Sequence, residues 1–171
     1  MDSIIRKAHT IDVGSIFAIM NTVALEMVKS DLFLSDDINY ITGHIETLGI
    51  TFVSEIDGNM AGFLAVDIPN EQPNNLGLDI DLTQAELSKV ALMDSIVVSP
   101  DFRGMGLQKK LLKYAEGEMK SQGYTHFMAT VHPDNSASLK SFLALGYEIK
   151  ATKLKYDGLL RHILYKNADT I

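Results

Sequence analysis

Between two β-rich runs, Val90–Val98 and Thr125–Val131, the chain places one strongly helical run, Leu107–Gln122. A strand, a helix and a second strand in that order call for a crossover, so this part of the sheet is expected to be parallel. The loop that enters the helix reads Ser99-Pro100-Asp101-Phe102-Arg103-Gly104-Met105-Gly106-Leu107-Gln108. Backbone N–H groups at a helix start lack partners within the helix, and together with the helix dipole they form an anion site. Lys109 and Lys110 stand in the first turn, where the dipole disfavours a cation by a few tenths to about 1 kcal/mol each. With Arg103, these two lysines around a glycine loop make sense if a phosphate binds between them.

The rest of the chain surrounds this unit with shorter elements. Ile4 and Ile5 open a first strand, and Thr10 is a plausible N-cap for a helix to about Val28, with Asp12 in its first turn. Val13, Phe17, Met20, Ala24 and Met27 give that helix its apolar stripe. Ser35 or Asp36 is placed to cap a second helix through Leu48, with Ile38, Ile41 and Ile45 on one face. Ile50–Glu55 and Met60–Asp67 read as strands joined at Asp57-Gly58-Asn59, a hairpin signal. Pro69–Ser88 is polar and acidic and reads as a solvated loop, though loops of this length are often functional. Gly123 fits the stop of the long helix, and a short helix through Ala137, Leu139, Phe142 and Leu143 ends at Gly146. Tyr147–Lys153 and Leu159–Lys166 then form a second hairpin around Asp157-Gly158. The expected fold is α/β (α+β): a single domain over residues 1–171, with a mixed central sheet of about six to seven strands flanked by helices.

Composition narrows the function. The chain has 171 residues, 46% hydrophobic and 22% charged, as in a globular protein with one core. No apolar run approaches the roughly 20 residues that span a bilayer, and Met1–Lys7 lacks the build of a signal peptide. A cytoplasmic protein with no membrane partner is the expectation. With no cysteine, thiol catalysis and disulfides are excluded. A net charge of −7 argues against a nucleic-acid partner and mildly favours cationic small molecules. The five histidines, His9, His44, His126, His132 and His162, show no metal-ligand spacing, so no metal is expected.

The glycine loop is not one of the two common phosphate loops. Leu107 and Gln108 follow Gly106 where a Walker loop needs Lys and Ser/Thr, and Lys109 stands where a dinucleotide loop needs a third glycine. The stretch Val98-x-Pro100 followed by Arg103-x-x-Gly106-x-Gln108 resembles the acetyl-CoA loop of the GNAT superfamily of N-acetyltransferases, whose pattern is Gln/Arg-x-x-Gly-x-Gly/Ala after a strand ending in Val-x-Pro. A second family motif follows at Asn135-Ser136-Ala137-Ser138 and Phe142-Leu143-Ala144-Leu145-Gly146-Tyr147. The order of elements is that of the GNAT fold along nearly the whole chain.

The resemblance implies a set of roles. Acetyl-CoA is the cosubstrate, with its pyrophosphate on the main-chain N–H groups of Arg103, Gly104, Met105, Gly106, Leu107 and Gln108, and with Lys109 adding charge. Ile96, Val97 and Val98 pair with the pantetheine arm, and Asn135 and Ser138 touch its distal part. The Ile96 N–H is the candidate donor to the carbonyl oxygen as charge develops in amine attack on the thioester. The sequence departs from the family at two positions. Gln108 replaces the usual glycine or alanine. Phe142, which the resemblance also places among the cofactor-binding residues, stands where many members carry a tyrosine as general acid, so the proton-donating role does not transfer. Thiols have a pKa near 8.5, so the leaving thiolate is tolerable without an acid, and water, Tyr147 or Ser138 are other proton sources.

Asp94, two residues before Ile96, is expected on the same face of the strand as a base or an ammonium anchor, with an ion-paired structural Asp as the plain alternative. If Asp94 is structural, water, Glu86 or His132 is the base. The reading is acetyl transfer to a small-molecule amine. A GNAT-fold acyl-CoA sensor without turnover and a protein (lysine or N-terminal) acetyltransferase stay open, as does a homodimer.

Overall fold

The computed structural model describes residues 2–27 and 37–169. Seven strands form one sheet in the order β1-β2-β3-β4-β5-β7-β6. They are β1 (Ile4–Lys7), β2 (Gly49–Ile56), β3 (Asn59–Asp67), β4 (Val90–Val98), β5 (His126–Val131), β6 (Glu148–Lys155) and β7 (Leu159–Asn167). The helices are α1 (Val13–Glu26), α2 (Ile38–Glu46), α3 (Gln84–Leu87), α4 (Leu107–Ser121) and α5 (Ser136–Leu143). β4 and β5 pair in parallel, as their crossover through α4 requires, and the other pairs are antiparallel. No helix among the described residues is long and apolar enough to cross a membrane.

Alternation along the strands sorts the core onto two faces. Phe52 and its partner Leu64 face α4, where Leu111, Leu112, Ala115 and Met119 are buried against Ala91, Met93 and Phe127. Val53 and its partner Phe63 face the other way and pack with Ile16 and Met20 of α1 and Ile41 of α2. Each large aliphatic side chain buried on α4 contributes about 1.5–3 kcal/mol, which anchors the helix whose start forms the anion site.

Several local expectations are corrected. Thr10 does not cap α1: a 3₁₀ turn over Thr10–Asp12 comes first, and the Asp12 carboxylate accepts the His9 N–H at 2.8 Å and pairs with Arg6. The helix ends at Glu26, with Met27 extended, and Val28 lies outside the described residues. Asp37 caps α2 by accepting the Tyr40 N–H at 2.9 Å, and the helix stops at Glu46. Ser35 and Asp36 lie outside the described residues. The Pro69–Ser88 stretch is more than a solvated loop. Leu76 and Leu87 are buried, and Leu76 packs with Ile80 and Leu82 on Val90, Leu92, Met128 and Ile163. A 3₁₀ turn (Leu76–Ile80) and α3, closed by a Thr83–Glu86 capping box, hold the segment there.

Two irregularities of β4 shape the site. Pairing with β3 shifts register between Ala65 and Val66: Ala65 faces Ser95 and Val66 faces Met93, which leaves Asp94 as the extra residue of a β-bulge. Pairing with β5 ends at Leu92–Met128, although both strands continue. The outer half of β5 bonds instead to β7, through Ala129–Leu164, Thr130–Ile163 and Val131–His162. β4 and β5 therefore part in mid-sheet and leave a gap beside Asp94–Val98.

Candidate active site

The gap presents main-chain groups. Ser99 donates its N–H to the Ala61 carbonyl at 2.8 Å, which marks Gly62–Val98 as a non-hydrogen-bonded pair of the β3–β4 ladder. Leu64–Ile96 is of the same kind by alternation. The N–H and C=O of Ile96 and Val98 thus point away from β3, toward the side from which β5 has diverged. An extended chain laid in the gap meets a strand edge ready to pair.

The loop after β4 closes the outer end of this edge. A 3₁₀ turn over Pro100–Phe102 leads to Gly104 and Gly106, with φ of +79° and +71°. Gly106 is the N-cap of α4, so the first N–H groups of the helix open past it. A β-carbon on either glycine would meet nothing within 4 Å. The positive φ accounts for glycine at both positions, and the space beside them is open. Leu107 is buried and packs with Ile56 and Ala61, and Phe102 and Met105 pack on the same cluster and fix the loop.

A cleft of about 670 Å³ joins these parts. It is lined by Ile96, Val97, Val98, Arg103, Gly104, Gly106, Leu107 and Gln108 on one side, and by Asn135, Ala137, Ser138 and Ser141 on the other. Gln108 donates from Nε2 to the Ser138 hydroxyl at 3.0 Å, and Asn135 caps α5 by accepting the Ser138 N–H at 3.3 Å. The departure from the family loop thus carries a specific contact between the first turns of α4 and α5. Val23, Glu26 and Met27, which sequence reasoning missed, also line the cleft, and Glu26 pairs with Arg103 at 3.0 Å. Val23 and Met27 read as ordinary apolar helix positions and Glu26 as an exposed charge, so no local signal marks them.

Three of the residues assigned from the resemblance do not line the cleft. Met105 packs into the loop cluster. Lys109 is exposed at the start of α4. Phe142 is buried in the core, its ring edge-on to Tyr147 with centroids 4.9 Å apart. Ser141, one residue earlier, reaches the cleft instead. Tyr147 is buried as well, and its hydroxyl is pushed well above the ordinary phenol range, by burial first and by Glu116 second. Of the proton sources named from the sequence, Ser138 is the side chain that reaches the cleft.

Asp94 does not share a face with Ile96. The bulge breaks the alternation between them: Ile96 packs with its partner Leu64 on the α4 side, and the Asp94 carboxylate turns to α2, where the Tyr40 hydroxyl donates to it. A second cavity of about 810 Å³ opens there, lined in part by Tyr40, His44, Asp67, Asn70, Gln72, Asn74 and Asp94. His44 sits between Asp67 Oδ1, 3.2 Å from Nε2, and the Tyr40 carbonyl, 2.9 Å from Nδ1. Burial alone would lower the His44 pKa, but Asp67, the Tyr40 carbonyl and Asp94 together raise it above the ordinary imidazole value. The cleft beside Ile96 and this cavity therefore approach the opened part of β4 at residues 96 and 94. Among the described residues, no group of three or more His, Asp or Glu side chains is placed to hold a metal ion.

A parted parallel strand pair, a glycine loop onto a helix start and a second short helix facing that loop border one cleft. The model of the acetyltransferase (GNAT) family matches residues 18–147, and the chain belongs to that family. No curated protein matches the chain significantly. Among solved structures, a putative acetyltransferase (yncA) from Salmonella typhimurium, determined with its cofactor acetyl-CoA, is 20% identical with a TM-score of 0.73 over 100% of this chain and 96% of its own. A phosphinothricin acetyltransferase from Sinorhizobium meliloti, in complex with acetyl-CoA, is 19% identical with a TM-score of 0.75 over 98% of this chain and 89% of its own. The ribosomal-protein-S18-alanine N-acetyltransferase of Escherichia coli is 16% identical with a TM-score of 0.72 over 99% of this chain and 96% of its own. Similarity at these identities is a similarity of fold.

Proposed function

We propose that this protein transfers the acetyl group of acetyl-CoA to the amine of a small-molecule acceptor. The observation that carries the reading is the cleft between β4 and α5: strand-edge groups at Ile96 and Val98, a glycine loop onto the start of α4, and Asn135 and Ser138 opposite. These residues fit acetyl-CoA. The open positions beside Gly104 and Gly106 leave room for a pyrophosphate against the backbone, and the strand edge suits the amide-bearing pantetheine arm. When bound, acetyl-CoA supplies an activated acyl thioester.

The chain's own residues then have separate tasks. The N–H of Ile96 is the donor positioned for charge on the carbonyl oxygen, a task that needs a fixed direction and not a particular side chain. Asp94 approaches from the α2 side, where its carboxylate can hold an ammonium group or take a proton from it. Phe142 supplies no proton, and the thiolate leaves unassisted or with a proton from water or Ser138.

The test is release of free thiol from acetyl-CoA with a panel of small amines, alongside a lysine peptide and an N-terminal peptide. Amine-dependent thiol release with acetylated amine supports the reading. Acetylation of the peptides alone would replace it with protein acetylation. The buried Phe142 and the Gln108–Ser138 contact favour one other reading, an acyl-CoA sensor, which binding without turnover would establish.

A further inference from the structure

We propose that Tyr40 of α2 is a positioning residue for the acceptor amine, acting through Asp94. This rests on the reading of Asp94 as the residue that meets the amine. Asp94 is the extra residue of the bulge and is exposed, so the regular pleat does not set the direction of its carboxylate. The Tyr40 hydroxyl donates to Oδ2 of Asp94 and lies 3.4 Å from the Ser95 hydroxyl. Holding one oxygen fixes the plane in which the carboxylate meets an incoming ammonium group.

Tyr40 is itself held from below. Its ring lies 4.0 Å, centroid to centroid, from that of His44 one helical turn on. Both His44 nitrogens face acceptors, the Tyr40 carbonyl and the Asp67 carboxylate, so the ring satisfies both contacts as imidazolium. Asn74 donates to the other Asp67 oxygen at 3.0 Å. The series Asn74–Asp67–His44–Tyr40–Asp94 ties the loop after β3, the end of β3 and α2 to the bulge of β4. Outside this series, Tyr156 of the β6–β7 turn interacts electrostatically with Asp94, and Arg161 of β7 and Asp79 act in turn on Tyr156.

Tyr40→Phe keeps the ring and its packing on His44 and removes the hydroxyl alone. Two readouts on the full chain test the proposal. Carboxyl-carbon NMR, with the Asp94 resonance assigned by Asp94→Asn, follows the titration of Asp94. Losing a donor to its charged form should move that titration to higher pH. Steady-state kinetics with acetyl-CoA and putrescine or glycinamide as probe amines should show KM for the amine raised about tenfold and the acid limb of kcat/KM moved with the NMR titration. The Kd for acetyl-CoA should stay within about twofold, as expected of a group remote from the cofactor cleft. Asp67→Asn should shift KM in the same direction by less, and the two changes should combine less than additively. An unchanged amine KM in Tyr40→Phe, with Asp94→Asn impaired, overturns the role of Tyr40, as does a KM change without movement of the Asp94 titration. An Asp94→Asn enzyme as active as wild type overturns the role of both residues. Absence of turnover by wild type of these probes and of every other small amine in the panel overturns the acetyltransferase reading together with this one, and so is distinct from a failure at Tyr40 alone.

Discussion

Gly106 separates cofactor recognition from folding. The residue is the N-cap of α4 with φ +71°, and a β-carbon there meets nothing within 4 Å. The folding cost of Gly106→Ala is therefore backbone strain alone, about 1–2 kcal/mol for a left-handed L-residue. For a chain of this size that is a fall in Tm of roughly 2–8 °C. Gly123, with φ +93° and equally open surroundings, sits at the far end of α4 and is not among the cleft-lining residues. Gly123→Ala is the matched control: the same strain, remote from the cleft. If the pyrophosphate rests on the N–H groups past Gly106, a methyl group there keeps it off the backbone. The loss is at least one charge-assisted hydrogen bond, about 1.5–3 kcal/mol, or roughly 10- to 150-fold in Kd. Isothermal calorimetry with acetyl-CoA and a thermal melt of both variants make the comparison. Comparable melting shifts with acetyl-CoA binding weakened only in Gly106→Ala are expected. Equal affinities in the two variants would refute the placement of the phosphate.

Further outcomes follow from neighbouring residues. Glu26 faces the same cleft and pairs with Arg103 in an exposed ion pair. Glu26→Gln should tighten acetyl-CoA several-fold by calorimetry while moving Tm little, since exposed pairs are worth about 1 kcal/mol or less. Phe142→Leu should cost about 1–3 kcal/mol of stability in a denaturant melt, as a change in a packed core, with kcat reduced far less than the thousandfold expected of a catalytic ring. Phe142→Tyr should leave kcat near the wild-type value and lower Tm, since the added hydroxyl enters a packed core outside the cleft. The His44 pKa is raised above its unfolded value, so its contribution to stability is complete below about pH 6.5 and is lost as pH rises through the folded value. The Tm difference between wild type and His44→Gln should accordingly be largest in mild acid and shrink toward alkaline pH in a buffer series.

The parts of the fold legible in the sequence are those set by local chemistry. The crossover from β4 through α4 to β5 follows from periodicity, and the two hairpins from Asp57-Gly58-Asn59 and Asp157-Gly158. The glycine loop follows from residue types at fixed spacing. What escaped depends on pairing between distant segments. The bulge that turns Asp94 away from Ile96 is a mismatch of register with β3, and nothing in Leu92–Ile96 announces it. The break between β4 and β5 reflects the competing claim of β7 on the outer half of β5. The leucines of the 76–87 segment were hidden by the polar residues between them, since so short a helix and turn show no period. Tyr40 and His44 carry a weak signal, a polar aromatic pair one turn apart on α2, that acquires meaning only once Asp67 and Asp94 are brought beside it.

The central claim is that the parted strands hold acetyl-CoA and present its acetyl group to an amine. The most direct test is incubation of the protein with acetyl-CoA and a library of metabolite amines, with mass-spectrometric detection of acetylated products and a parallel assay of free thiol. One or more small amines should gain an acetyl group, with thiol released in equal amount and both signals reduced in Asp94→Asn. Acetyl-CoA binding, seen as a rise in Tm, with no acetylated product and no thiol above background would contradict transfer and leave a protein that only binds the cofactor.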